Sequence, residues 1–411
     1  MSWKRILDTK LSKITLVLFT SLFPYEGGET FLETEIKYLS GAFKNIIVVP
    51  TKKTSAIRKL PINVTLDNTI ANSKTRYLYK LKSLFGKYFL SNFSFNKNEI
   101  KYLFKNAVYV ENYKKWISTF LLKNDINKVL FYSYWFEAPT AALALTKTNN
   151  LSLKYITRAH GGDLYENLYN LKKFPFRQNI LSNINSVFTV SETGKNHLLK
   201  KYNVTPVKIK VSYLGVESNG INANNKNKDE IKIVSCSNLI PLKRIDLIIE
   251  ALKLLKNKNT KIIWTHFGDG ILRKQLEEKA EENLGNNIQY RFLGFLKNKD
   301  VLEYYRTNYT DIFISTSSSE GIPVSIMEAQ SFGIPVIATN VGAVNEIVNN
   351  QNGFLLNQNP TPDEIAEVIS DAAINKEKWE MKRIQSFKSW QTKFNAEINY
   401  KNFINKLKEI L

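Results

Sequence analysis

The sequence predicts an α/β protein built from two doubly wound domains. Three observations lead there. Apolar, β-rich runs alternate with helix-like stretches along the whole chain. A polar segment rich in Asn and Lys, ESNGINANNKNKDE (217–230), interrupts that alternation near the middle. The length, 411 residues, fits two or three domains at roughly 100–200 residues each. Continuous apolar strands separated by helices belong to parallel sheets covered on both faces.

Taken in order, ITLVLFT (14–20) reads as a strand, ETFLETEIKYLSG (29–41) as a helix and NIIVVPT (45–51) as a strand. KVLFYSYW (128–135), LKYITRAHG (153–161) and NSVFTVS (185–191) are further strands. A helix over 192–202 and a strand KIKVSYLG (208–215) follow. The polar run 217–230 is the expected linker, which puts the domains at 1–216 and 217–384. The second half repeats the pattern, with strands at 231–237, 261–268, 288–294, 311–317, 335–340 and 353–357. Its helices are expected near 243–256, 271–284, 299–306, 323–332, 343–349 and 362–374. The tail 376–411 is helical and basic, and 385–411 is expected to pack back onto the first domain. No repeat at solenoid spacing is visible.

Composition narrows the classes. With 43% hydrophobic and 23% charged residues, the chain is neither disordered, collagenous nor a coiled-coil rod. Lys plus Arg is 58 against 37 Asp plus Glu, a formal charge of +21 that favours nucleic acid, an acidic membrane face or phosphorylated substrates. The single cysteine, Cys236, excludes an intramolecular disulfide. No apolar stretch approaches the ~20 residues that cross a bilayer. The run ITLVLFTSLF (14–23), preceded by Lys4, Arg5, Lys10 and Lys13, mimics a signal peptide. No small-x-small cleavage site follows it, so it reads as a buried first strand, and the protein is expected in the cytoplasm or at the inner face of a membrane. Residues 68–98 contain no Asp or Glu but interleave Lys74, Arg76, Lys80, Lys82, Lys87 and Lys97 with Tyr77, Tyr79, Phe85, Tyr88, Phe89, Phe93 and Phe95. A helix pair with such a face suits an anionic bilayer at roughly 1 kcal/mol per cation; the plainer reading is a solvated basic helix.

The most informative segment is DIFISTSSSEGIPVSIMEAQSFGIPVIATNVGAVNEIV (311–348). A buried strand ends at Ser317, the turn SSSEG follows, Pro323 opens a helix and Gly333 stops it. Glu320 then lies in the loop and Glu328 in the second helical turn. The backbone amides of about 321–326 are expected to be free at the positive end of the helix dipole, a ready site for a pyrophosphate. Two carboxylates flanking it suit vicinal diols, because each accepts two hydrogen bonds.

Glu320 and Glu328, in EGIPVSIME, resemble the E-x7-E motif of the retaining, two-domain nucleotide-sugar glycosyltransferases of family GT4, and GIPVIATNVGAVNEIV matches the pattern that follows it there. The likeness extends over most of the chain and is best at 231–350. It implies a GT-B fold, two Rossmann-like domains facing across a cleft with a C-terminal helix crossing back to the first domain. It also implies that Glu320 contacts the donor sugar, that Gly321, Ile322, Pro323, Val324 and Ser325 hold sugar and diphosphate, and that Glu328 binds the ribose. In SNLIPLKRIDLIIEAL (237–252), Lys243 matches the family lysine at the diphosphate. The usual arginine is replaced by Asn238, which bonds hydrogen but carries no charge; adjacent Arg244 is expected to compensate. FGDG (267–270) and FLGF (292–295) resemble loops lining the nucleotide, implicating Gly268, Asp269, Gly270 and Leu293.

In the first half the resemblance places His160, in YITRAHGGDLYE, near the donor sugar's reacting carbon. Gly27 and Gly28, in PYEGGETFLETE, are similar to the glycine-rich first loop, with Gly28 toward the donor phosphate and Gly27 toward the acceptor. Trp135, Phe136 and Glu137, in YSYWFEAPTAALA, are read either as acceptor contacts or as core and cap residues; Asp163 joins the acceptor set. No Asp-x-Asp, zinc cluster, P-loop or dinucleotide fingerprint occurs, so neither a metal nor a cofactor is expected. The expected substrates are a UDP- or GDP-linked sugar and a saccharide acceptor on a polyprenyl carrier, in capsule or O-antigen assembly, with no nucleic-acid partner. The competing readings are a sugar-nucleotide epimerase of the same fold, a nucleic-acid-binding protein and a catalytically silent partner of another transferase.

Overall fold

The structure, a computed structural model, describes residues 10–73, 86–92, 96–221, 230–255 and 260–411. The chain divides into two compact units: unit 1 is Met1–Tyr213 with Glu397–Leu411, and unit 2 is Leu214–Ala396.

Unit 1 holds a seven-stranded parallel sheet of β1 (Thr15–Thr20), β2 (Asn45–Pro50), β3 (Val64–Leu66), β4 (Val129–Ser133), β5 (Lys154–Ala159), β6 (Ser186–Thr189) and β7 (Ile209–Val211), in the order β3-β2-β1-β4-β5-β6-β7. Every residue of β4 and β6 is buried, the signature of strands covered on both faces. One cover is the helix Lys97–Leu121, capped by the Asn96 carboxamide, which accepts from the amides of Asn98 and Glu99. Its Leu103, Ala107, Val110, Tyr113 and Ile117 form an apolar stripe against Phe19 and Phe131.

Unit 2 holds a six-stranded parallel sheet of β8 (Glu230–Cys236), β9 (Lys261–Phe267), β10 (Ile288–Phe292), β11 (Ile312–Ser315), β12 (Val336–Thr339) and β13 (Gly353–Leu356), in the order β10-β9-β8-β11-β12-β13. Both sheets therefore reverse direction of growth beside their first strand, between β1 and β4 and between β8 and β11. Ligands of such sheets bind outside the carboxyl ends of the strands at that reversal.

The change of unit falls at Tyr213 and the return at Glu397, against the expected 216 and 385. Local pairing explains both shifts. The Val216 amide donates to the Phe394 carbonyl at 2.9 Å, and the Ala396 amide donates to Val216 O at 3.1 Å. The helix Lys376–Ser389 stays on unit 2, where Lys382 Nζ donates to the Gly353 carbonyl at 2.9 Å and Ser386 Oγ to Ile334 O at 2.7 Å. Only the helix Ala396–Lys408 reaches unit 1, burying Phe403 and Leu407 with Leu16, Tyr132 and Phe188.

Several elements differ from expectation. β3 and the helices Lys97–Leu121 and Ala138–Lys147 are additional. The helix expected over 343–349 is a single 3-10 turn, Val344–Glu346. Of the basic, aromatic stretch 68–98, residues 74–85 and 93–95 lie outside the described residues. Tyr88 and Phe89 are buried in the unit 1 core, which removes them from any membrane-facing surface.

Candidate active site

In unit 2, the loops after β8 and β11 meet at the sheet reversal. Residues Pro241–Lys243 form a 3-10 turn there, and Lys243 Nζ pairs with Glu320 Oε1 at 2.5 Å. Both side chains keep some exposure, 20% and 13%. The two loops are stitched together by their backbones. Thr316 Oγ1 donates to the carbonyls of Lys243 and Arg244 at 3.1 and 2.9 Å, and the Ser318 amide donates to Leu242 O at 2.8 Å.

Beyond Glu320 runs the helix Val324–Ser331 with Pro323 as its N-cap residue, so the helix starts one position later than expected. Of the amides expected to be free, that of Ile326 is taken by the Pro323 carbonyl at 3.2 Å, and Pro323 has none. Those of Gly321, Ile322, Val324 and Ser325 meet no acceptor among the described residues. First-turn amides have no intrahelical partner, and the macrodipole adds positive potential where they point. Glu328 lies half-buried on this helix, Oε1 accepting from Asn298 Nδ2 at 2.6 Å. Burial pushes its carboxyl up to about 7.

The loop bearing Glu320 is backed by Gly342, at φ 57°. A Cβ on Gly342 would lie 1.8 Å from the Glu320 carbonyl oxygen, so only glycine lets the two segments meet. Gly268, at φ 135°, is constrained likewise against the Ser237 carbonyl. Asp269 is exposed and pairs with Arg273 at 3.1 Å, while Leu293 is 41% exposed beside this turn. Asn238 is exposed in the loop after β8.

Arg244 does not stand in for the missing arginine. Its Nε donates to Thr316 O at 2.7 Å, its Nη2 to Ser317 O and Gln358 O at 3.0 Å each, and its Nη1 to Asn359 Oδ1 at 3.2 Å. The guanidinium is a clamp on neighbouring loops, which leaves Lys243 as the cation beside Glu320.

In unit 1, the loops after β1, β4 and β5 converge on His160. Its ring is buried, with centroids of Trp135, Tyr134 and Phe31 at 4.6, 4.9 and 5.8 Å. Burial, with the Arg158 guanidinium nearby, pushes the imidazole down to about 3, so it is neutral at physiological pH. Its Nε2 is buried without a hydrogen-bond partner among the described residues. A neutral imidazole offers one N–H or one lone pair there, the chemistry of a hydroxyl partner.

Two acceptor expectations change, those for Asp163 and Phe136. Asp163 is 1% exposed, and its oxygens accept from the amides of His160 and Phe136 at 2.6 and 2.7 Å, so it fixes the loop instead of meeting a ligand. Burial pushes that carboxyl up to about 7. Phe136 is core, under the Arg177 guanidinium at 3.6 Å. Trp135 donates its indole N–H to Glu29 at 2.6 Å while its ring lies against His160. Glu137 fits better: it lines a recess of about 250 Å³ with Lys52, Tyr102, Lys105, Trp135 and Tyr169. Gly27 and Gly28 sit in the loop after β1, where Arg58 Nη1 donates to Gly28 O at 2.8 Å.

Sequence reasoning missed Glu29, Asn298, Gly342 and Asp163's true role. Glu29 immediately follows Gly27 and Gly28, so its place in the glycine-rich loop was readable, while the amides it accepts from were not. Asn298 carries no such signal, being one Asn among many.

Residues 217–387 match the model of the family described as Glycosyl transferases group 1. The chain is 28% identical over 202 residues (49% of its length, 38% of the relative) to a UDP-N-acetylglucosamine–peptide N-acetylglucosaminyltransferase GtfA subunit of Streptococcus agalactiae. It is 25% identical over 297 residues, 69% of each chain, to the amylovoran biosynthesis glycosyltransferase AmsK of Erwinia amylovora. It thus spans less than two fifths of the first relative and about two thirds of the second. Among solved structures, Anabaena HepE in complex with UDP and glucose superposes with a TM-score of 0.65 over 96% of this chain and 99% of that one, at 16% identity. The fold is the Rossmann-like pair of the GT-B class, and residues 217–387 match the group 1 glycosyltransferase family.

Proposed function

We propose that the chain is a retaining glycosyltransferase that moves a sugar from a UDP- or GDP-linked donor onto a saccharide acceptor. The observation carrying this reading is the Lys243–Glu320 pair set beside the open amides of Gly321, Ile322, Val324 and Ser325. The departing diphosphate gains negative charge in the transition state, and fixed donors aimed at that charge lower the barrier. Lys243 and the amides take that role with no resident metal or cofactor. Glu320, released from Lys243 by the incoming phosphate, accepts from the sugar hydroxyls, and Glu328 takes the ribose diol. The bond from the anomeric carbon to the diphosphate oxygen breaks as the acceptor oxygen attacks the same face. The acceptor proton passes to the leaving diphosphate, so no protein base is required. His160, neutral and unpartnered at Nε2, meets a hydroxyl of the transferred sugar.

The acceptor occupies the recess lined by Lys52, Tyr102, Lys105, Trp135 and Glu137. A polyprenyl-linked acceptor in bacterial surface polysaccharide assembly is the context we propose, supported by the amylovoran relative's name. Peripheral contact with an anionic inner membrane face is supported by exposed Lys97, Lys101 and Lys105, one helical face with Phe104 46% exposed beside them. Among the described residues, no helix is long and apolar enough to cross a membrane.

A thermal-shift series with UDP-glucose, UDP-N-acetylglucosamine, UDP-galactose and GDP-mannose tests the donor site. The true donor raises Tm by binding the folded state alone. Product analysis then separates a new glycosidic bond from an epimerised free donor, and the latter outcome overturns the reading.

A further inference from the structure

We propose that Glu29 is a positioning residue for His160, acting through Trp135; the proposal rests on the reading above, that His160 meets the transferred sugar. Glu29 is 7% exposed and its carboxylate accepts four N–H donors. Oε1 takes the Ser21 amide at 2.7 Å and the Trp135 indole at 2.6 Å; Oε2 takes the amides of Leu22 and Phe23 at 2.7 and 2.5 Å. Three consecutive amides converging on one anion form a nest, and here the chain's own carboxylate fills it. Glu29 reaches it because its backbone turns back at φ 47°, a conformation a non-glycine residue adopts only when its surroundings hold it.

The fourth donor belongs to a different loop. Trp135 follows β4, and its ring lies 4.6 Å from that of His160 at an interplanar angle of 45°. The His160 backbone is fixed separately, by Asp163. Its Nε2 has no partner among the described residues, and the ring's hydrogen-bonding neighbours are the Tyr134 carbonyl and the Asp163 amide, both away from Nε2. Of the three rings packed on His160, Trp135 is the nearest, so the indole limits how far the imidazole and its Nε2 can turn, and Glu29 holds Trp135. Without Glu29, the indole and three amides are left without their acceptor in a buried corner, and the indole is free to turn.

The chain has three histidines, so histidine labelled with carbon-13 at Cε1 gives three ring signals, with His160→Gln assigning one. Glu29→Ala is expected to move the His160 signal while those of His197 and His266 stay. Trp135→Phe, which removes the indole N–H but leaves Glu29 on its three amides, moves it too and serves if Glu29→Ala does not fold. Glu29→Gln, with one acceptor oxygen, gives a smaller shift. In UDP release from whichever panel donor stabilises the protein, Glu29→Ala lowers kcat on the order of 10–100-fold with KM little changed, as misplacement of a reacting group does. In a His160→Ala background the same substitution adds no further loss. An unmoved His160 signal in folded Glu29→Ala, or an equal kcat loss with and without His160, overturns the proposal. Wild-type turnover in His160→Ala overturns instead the reading of His160 on which it rests, with the Glu29-dependent shift still seen.

Discussion

The two sheets reverse at the same place in their strand order, yet the loops at the two reversals are furnished in opposite ways. After β1, the converging amides are answered by a buried carboxylate of the same loop, Glu29. After β11, the amides at the head of Val324–Ser331 meet no protein acceptor among the described residues, and the local carboxylate, Glu320, is held by a partly exposed lysine. A corner whose donors already hold an anion is rigid and closed to another. A corner whose cation and carboxylate hold each other at the surface exchanges partners when an anion arrives. The contrast supports the proposed placement of the diphosphate in unit 2, and in unit 1 it sets the neutral His160 apart from the Lys52, Lys105 and Glu137 recess.

The largest effect expected from this contrast is on activity. Glu320→Ala should lower transfer by about 10²–10³-fold, as loss of a transition-state contact does, while circular dichroism and Tm stay near wild type. Full activity in that variant would refute the assignment. The mirror experiment is Asp163→Asn. It points an amide N–H at one of two buried backbone donors and should cost about 2–4 kcal/mol in denaturant unfolding.

A third test uses pH. Glu328 sits at about 7, above its ordinary value, because burial favours its neutral form. Its contribution to stability is present below the ordinary carboxyl range and is lost as pH rises through about 7. Its diol-accepting carboxylate forms over the same interval, so UDP affinity by calorimetry should rise with pH through about 7, and Glu328→Gln should flatten that rise. The smallest effect is expected from Asn238→Arg. It adds an exposed cation near Lys243 and should tighten UDP binding by up to about 1 kcal/mol at low salt, fading as salt is added.

All the strands but β3 were legible because each is a short apolar run, and E-x7-E was legible because a turn, a proline and a glycine frame it. Other features were not, for physical reasons. The helix Ala138–Lys147 is buried on every side from Ala138 to Thr146, so it shows no amphipathic period. The helix Lys97–Leu121 hides its apolar stripe among lysines and aromatics that read as a surface. Arg244 looks like a phosphate ligand in sequence, and only the carbonyls around it reveal a clamp. Asp163 and Glu29 show the same limit: a short string tells that a carboxylate is near the site, not which backbone donors it has already taken.

The return of the helix Ala396–Lys408 to unit 1 bears on how the chain comes off the ribosome. Phe403 lies 4.5 Å below the Arg158 guanidinium, which is itself fully buried in an ion pair with Glu35 at 3.1 Å. Unit 2 is one uninterrupted stretch and is able to condense as it emerges. The nascent first sheet must instead leave that pair, and the apolar side chains of Leu16, Tyr132 and Phe188, without Phe403 and Leu407 until all of unit 2 has been translated.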